Sequence, residues 1–229
     1  MTHEKRSGAA MLAEHLPHVP KRYSPIGHLA GTASIGLAAL AIGWMAVEDF
    51  TWMHALTAAL TFVFANLVEW CAHKGLLHKR RWPFEILYDQ HTPRHHMFYR
   101  HDGMAVASRK EWYFVLMPKR GVFGIAVLAI PLALAVGALL GGSHAWIVFM
   151  TAGSYASLYE VTHLTYHLRR GHGIFRVPVL GRVLAALSRH HTRHHHVELM
   201  RSWNFNVTFP LWDVILGTHY PRKKPLPEP

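Results

Sequence analysis

GVFGIAVLAIPLALAVGALL, residues 121–140, carries no charged side chain. A helix needs about 20 predominantly apolar residues to cross the hydrocarbon core of a bilayer, so this run predicts a membrane span. Working outward, residues 29–47, LAGTASIGLAALAIGWMAV, are also uncharged. Two shorter uncharged runs, 52–68 (TWMHALTAALTFVFANL) and 144–159 (HAWIVFMTAGSYASLY), carry His54 and His144 near their starts. They read as spans whose C-terminal ends continue out of the membrane. The connections Glu48–Thr51 and Gly141–Ser143 are short enough to make two helical hairpins. The predicted fold is therefore all-α and integral to a membrane. Four transmembrane helices, at about 29–47, 52–70, 121–140 and 144–161, belong to one domain over 28–218. A segment over 1–27 precedes it and a flexible proline-rich tail over 219–229 follows.

Charge distribution predicts sidedness. Lysine and arginine are enriched in short cytoplasmic loops of membrane proteins, and all 24 fall in 1–27, 71–120 or 162–229, with none in the two tight turns. Both termini and the polar parts of the chain are thus expected on the cytoplasmic side, where they would form a helical cap. The net charge of +11 invites a nucleic-acid reading. Basic loops beside anionic headgroups account for it better in a chain with four apolar runs. The single cysteine, Cys71, excludes an internal disulfide and a multi-cysteine metal site. Lys5 and Arg6 are followed by a polar, proline-containing stretch, so targeting is expected to reside in the first span rather than in a signal peptide.

Ten of the 21 histidines form four clusters: His73/His78, His91/His95/His96, His163/His167 and His191/His194/His195. Imidazole is a common ligand for zinc, copper, iron and nickel, and ten are too many for one four-coordinate ion. Two ions with about five nitrogens each is the simpler division. EWCAHKGLLHKRRW continues the second span in helical spacing up to Trp82-Pro83, and SLYEVTHLTYHLRR places His163 and His167 on one helical face before Arg169 and Arg170. Residues 174–189 read as an interfacial amphipathic helix and 108–118 as a second interfacial element. Ligand imidazoles usually give their other N–H to a nearby acceptor; Glu69, Glu160 and Asp213 are the candidates, with pairing to a neighbouring arginine as the competing role. His101, His172, His190, His196 and His219 lie near the clusters without fitting them, and His190 is the strongest reserve. Tyr155 and Tyr159 read as interhelical packing before a substrate channel.

With these clusters written out, the chain resembles the fatty acid hydroxylase/sterol desaturase superfamily of membrane histidine-box enzymes over roughly residues 60–218. The matching pieces are His73-x4-His78, His91-x3-His95-His96, His163-x3-His167 and His191-x2-His194-His195, followed by WNFNVTFPLWDVILGT. The second box departs from the usual His-x2-His-His, and its spacing looks more like that of alkane hydroxylases, which leaves the subfamily open. The resemblance implies a di-iron centre that uses O2 to hydroxylate, less readily to desaturate, a C–H bond of a lipid such as a fatty acyl chain or a sterol-like polycyclic. It also implies electrons from a separate ferredoxin- or cytochrome b5-like donor with its reductase. Zinc binds nitrogen-rich sites more tightly than Fe(II) and is expected to compete in purified samples. Two other classes remain in view. A four-helix haem electron carrier would need histidines facing one another within the spans. A metal transporter would need ionisable residues along a transmembrane path.

Overall fold

Gly141 ends one helix and opens the next: its φ of +104° lies in the left-handed region that glycine enters without penalty, and its N–H bonds the Gly137 carbonyl at 2.8 Å. In the computed structural model, which describes residues 7–221 and 223–227, this turn joins the two expected C-terminal spans. Residues 1–6 of the N-terminal segment and Arg222, Glu228 and Pro229 of the tail lie outside the described residues. The described elements are helical or irregular, without strands. The helices are α1 (Gly8–His15), α2 (Pro25–Met45), α3 (Trp52–Ala72), α4 (Glu85–Gln90), α5 (Lys119–Leu128), α6 (Ile130–Leu140), α7 (Gly142–Tyr166), α8 (Leu180–His194) and α9 (Leu211–Ile215).

Among the described residues three stretches are long and apolar enough to cross a membrane: Pro25–Met45, Trp52–Leu77 and Arg109–Leu140. The third is not one continuous α-helix. Pro131 has no N–H to give to the preceding turn, and α5 stops at Leu128, with the Ala129 N–H turning to the Ala126 carbonyl before α6 begins. The fourth expected span is the 25-residue α7, in which Ser143, His144, Thr151, Ser154, Ser157 and Glu160 dilute the apolar run.

The chain divides into two compact units, Ile26–Val68 with Leu116–Val161, and Met1–Pro25 with Glu69–Val115 and Thr162–Pro229. In the first, α2 packs against α7 through small residues, which let backbones approach closely. A Cβ on Gly36 would lie 2.5 Å from Ser157 Oγ, one on Gly43 2.5 Å from Met150 Cβ, and one on Gly153 2.7 Å from Ala39 Cβ. The Ser157 hydroxyl donates to the Thr32 carbonyl at 2.8 Å, and Asn66 Nδ2 on α3 donates to the Tyr155 hydroxyl at 2.9 Å. Leu37, Trp44, Leu60, Phe64, Leu134 and Leu139 point outward, as a lipid-facing surface requires. Lys119 and Arg120 are the only lysine or arginine in this unit.

The second unit holds nearly all the positive charge and all ten clustered histidines. The expected amphipathic helix over 174–189 is shorter at its start and longer at its end. Gly173–Arg176 forms a 3-10 turn, Val179 adopts φ +63°, and α8 then runs from Leu180 through His194. In the 108–118 segment Trp112 and Tyr113 are half-buried. The segment forms a 3-10 turn, Arg109–Phe114, whose Glu111 and Phe114 are buried, and Val115 and Leu116 after it are buried as well. The tail's described part turns back on Tyr220, whose hydroxyl donates to the Pro225 carbonyl at 2.7 Å.

Candidate metal centre

Two of the histidine boxes lie on π-turns, His73–Leu77 and His91–His96. Such turns close i to i+5, accommodate one residue more than an α-turn, and recur at functional sites. The consequence for spacing is direct. His91 meets His96, five residues on, with 2.9 Å between their Nε2 atoms, while His95 turns toward His163, 3.1 Å away Nε2 to Nε2. His73 and His78, also five apart, stack with centroids 5.1 Å apart. On α8, which is regular, His191 and His195 are i,i+4 and 3.0 Å apart at Nε2, and His194 leaves on another side toward His78, also 3.0 Å away.

The ten histidines thus form two groups, His73/His78/His91/His96/His194 and His95/His163/His167/His191/His195, all buried, the ligand atoms of each within 4.8 Å of one another. Two of the four sequence boxes contribute in a way their spacing does not reveal, because the second and fourth boxes are each split between the two groups.

The hydrogen bonds fix which nitrogen points inward. A carbonyl oxygen only accepts, so the ring nitrogen facing it carries the proton. His73 Nδ1 donates to the Phe205 carbonyl and His195 Nδ1 to the Tyr99 carbonyl. His194 Nδ1 donates to Trp203 O at 2.8 Å, His95 Nδ1 to Phe114 O at 3.0 Å and His167 Nδ1 to Met104 O at 2.9 Å. His78 Nδ1 lies 3.2 Å from the Thr92 hydroxyl, which itself donates to Leu77 O at 2.7 Å. Each neutral ring then presents an Nε2 lone pair to the group. Lone pairs converging at 2.9–3.1 Å repel unless a proton or a cation lies between them. Protons are disfavoured: burial, reinforced by neighbouring imidazoles, holds His78, His91, His95, His96, His191, His194 and His195 well below the usual imidazole range. Burial also brings His167 down to about 4. Two groups of five neutral nitrogen donors fit two borderline divalent cations, one each.

The chain matches the fatty acid hydroxylase family profile over residues 58–218, more than half its length. It belongs to the fatty acid hydroxylase family. A similar solved structure is described as full-length scs7p with only the hydroxylase domain visible. It shares 21% identity and a TM-score of 0.53, and the match covers 97% of this chain and 70% of that one. That likeness shows a shared fold. No curated protein sequence matches the chain significantly.

The partners of the three candidate carboxylates are mainly backbone N–H groups. Glu69 accepts from the Val207 N–H, from the Thr208 N–H at 3.2 Å and from the Thr208 hydroxyl at 2.6 Å. Asp213 accepts from the Phe205 and Asn206 N–H groups at 2.9 and 2.8 Å, from the Thr218 hydroxyl at 2.7 Å and from His190 Nε2 at 3.1 Å. Burial alone would raise the Asp213 carboxyl, but these bonds, that from His190 foremost, hold it below the ordinary aspartate value. Glu160 is buried and accepts from the Met117 N–H at 2.7 Å, while its Oε1 has no hydrogen-bond partner.

The histidines outside the groups are also placed. His190 pairs with Asp213 and stacks on His219, His101 lies tilted against His196 with centroids 4.3 Å apart, and His172 Nδ1 accepts from the Ile174 N–H. His54 and His144 touch at 4.3 Å between centroids, too close for a macrocycle between them. Glu111, Trp203 and Phe205 were not among the site residues read from sequence. For Glu111 a signal exists in the capping-box spacing Ser108-x-x-Glu111.

Proposed function

We propose that this chain is a membrane-bound two-iron monooxygenase that hydroxylates a C–H bond of a lipid. The observation that carries the reading is the pair of five-imidazole groups with converging Nε2 lone pairs in a fatty acid hydroxylase family member. The reaction balances as R–H + O2 + 2 electrons + 2 protons giving R–OH + H2O. One oxygen atom enters the substrate and the other leaves as water.

When bound, two iron ions supply one-electron chemistry toward O2 that no side chain here can provide. The protein's part is positional. His73 and His194 are held by the Phe205 and Trp203 carbonyls, His95 and His167 by those of Phe114 and Met104, and His195 by that of Tyr99, so each ring is oriented before an ion arrives. Burial of all ten histidines keeps bulk water away from the donors. We read α7 as a fourth span whose end carries His163 toward the site. The concentration of lysine and arginine outside residues 26–68 and 116–161 supports a cytoplasmic site and cytoplasmic termini. Electrons then come from a soluble or membrane-bound ferredoxin- or cytochrome b5-like donor.

The test is single-turnover oxidation. Detergent-purified protein loaded with Fe(II), reduced chemically and mixed with O2 and a lipid extract, is expected to give lipids heavier by one oxygen, labelled from 18O2 and not from H2 18O. Two bound ions with no labelled product from any lipid class would overturn the reading.

A further inference from the structure

Outside the α-helices, two straps supply four of the five carbonyls that orient the imidazoles, and each strap serves one group; the fifth, that of Tyr99, takes His195. Residues 203–208 present the Trp203 and Phe205 carbonyls to His194 and His73, both in the first group. Residues 104–114 present the Met104 and Phe114 carbonyls to His167 and His95, both in the second, and the Val106 N–H returns a bond to the His167 carbonyl at 2.9 Å.

Each strap is pinned by buried carboxylates that the other does not share, two on the first strap and one on the second. Asp213 takes the Phe205 and Asn206 N–H groups, and Glu69 takes those of Val207 and Thr208 on the same strap. Glu111 takes the Ala107 N–H at 3.0 Å, the Ser108 N–H at 2.9 Å and the Ser108 hydroxyl at 3.1 Å. Asp213, Glu69 and Glu111 are all buried. A carboxylate accepts from several donors at once. An amide in its place must turn an NH2 toward backbone N–H groups, and buried donors left facing donors are costly.

We propose that Asp213 and Glu111 are positioning residues that act on different metal sites: Asp213 sets the affinity of the His73/His78/His91/His96/His194 group, and Glu111 that of the His95/His163/His167/His191/His195 group. The inference rests on the two-metal reading and adds an assignment of one carboxylate-anchored strap to each ion. Losing the outer partners of ligand imidazoles typically weakens a metal about 10–100-fold. Asp213→Asn and Glu111→Gln should therefore each release one ion to a chelator at 10–100-fold lower chelator concentration while the other ion stays in place.

The experiment is chelator competition on the full-length protein in detergent, loaded with zinc and read as ions per chain by mass spectrometry. Expected are about two ions in the native protein and about one in either variant at an intermediate chelator concentration. Adding His194→Ala to Asp213→Asn should leave that one ion, whereas adding His163→Ala should remove it; for Glu111→Gln the two additions should exchange effects. A purely structural role would loosen both ions together in each variant, and that result would overturn the inference while leaving the two-metal reading intact. A native protein that holds no ion would overturn both. If Asp213→Asn does not fold, the Glu111→Gln pair of combinations decides the matter alone.

Discussion

His91 and His96 face each other across 2.9 Å, Nε2 to Nε2, with His95 beside them in sequence committed to the other group. The π-turn over His91–His96 makes this division: by closing to i+5 it carries the ring of His96, rather than that of His95, back to His91.

Neighbouring histidines should therefore cost different ions. His95→Ala and His96→Ala are each expected to lower metal content from about two ions per chain to about one, and the double variant to abolish binding. Metal analysis after extensive dialysis checks this; two adjacent substitutions that empty the same site would contradict the division.

Acid should loosen the metal-free protein. Burial holds His167 at about 4 in the folded chain, against about 6.5 for an unfolded imidazole. Between those values the unfolded chain binds a proton that the folded chain refuses. The stability from keeping this group neutral is thus complete above about pH 6.5 and is lost as pH falls toward 4. Thermal unfolding of chelator-stripped protein at pH 8, 6.5 and 5 should show a falling midpoint. Because bound ions also require neutral imidazoles, metal release should accompany the same descent.

Close packing of α2 on α7 leaves no room at Gly36, where an added Cβ meets Ser157 Oγ at 2.5 Å and Ser157 is held by its bond to the Thr32 carbonyl. Gly36→Val is expected to destabilise the protein by about 1–3 kcal/mol, the usual cost of overpacking, and to lower the thermal midpoint in detergent. An unchanged midpoint would mean that the two helices separate readily.

His54 lies tilted against His144, and its Nδ1 accepts from the Thr51 N–H at 3.0 Å. His54→Ala is expected to keep about two ions per chain while lowering thermal stability. Loss of an ion in this variant would tie the His54/His144 pair to the metal centre, contrary to the ligand groups described above.

Much of the site was legible in the chain because its signals are local. Uncharged runs of membrane length are visible as composition, and His163-x3-His167 is an i,i+4 pair on a helix that the structure keeps regular through Tyr166. The π-turns were not legible. His91-x3-His95 has ideal α-helical spacing, and nothing in HTPRHH announces the wider turn. The role of Asp213 was half legible: Trp212-Asp213 marks the residue, but its donors are the N–H groups of Phe205 and Asn206, brought back by the short helix α9.

By itself, then, the sequence determined that four histidine boxes accompany apolar runs and basic loops, two of the boxes on continuations of apolar helices, since helix periodicity and the charge rule act over a few residues. Only the tertiary structure decided which five histidines share a group and which carbonyls take the Nδ1 protons of His73, His95, His167, His194 and His195. Those contacts join residues as far apart as His73 and Phe205, 132 positions along the chain. Which pairs meet depends on how the turns and straps direct side chains after folding, and spacing within any one box does not contain that information.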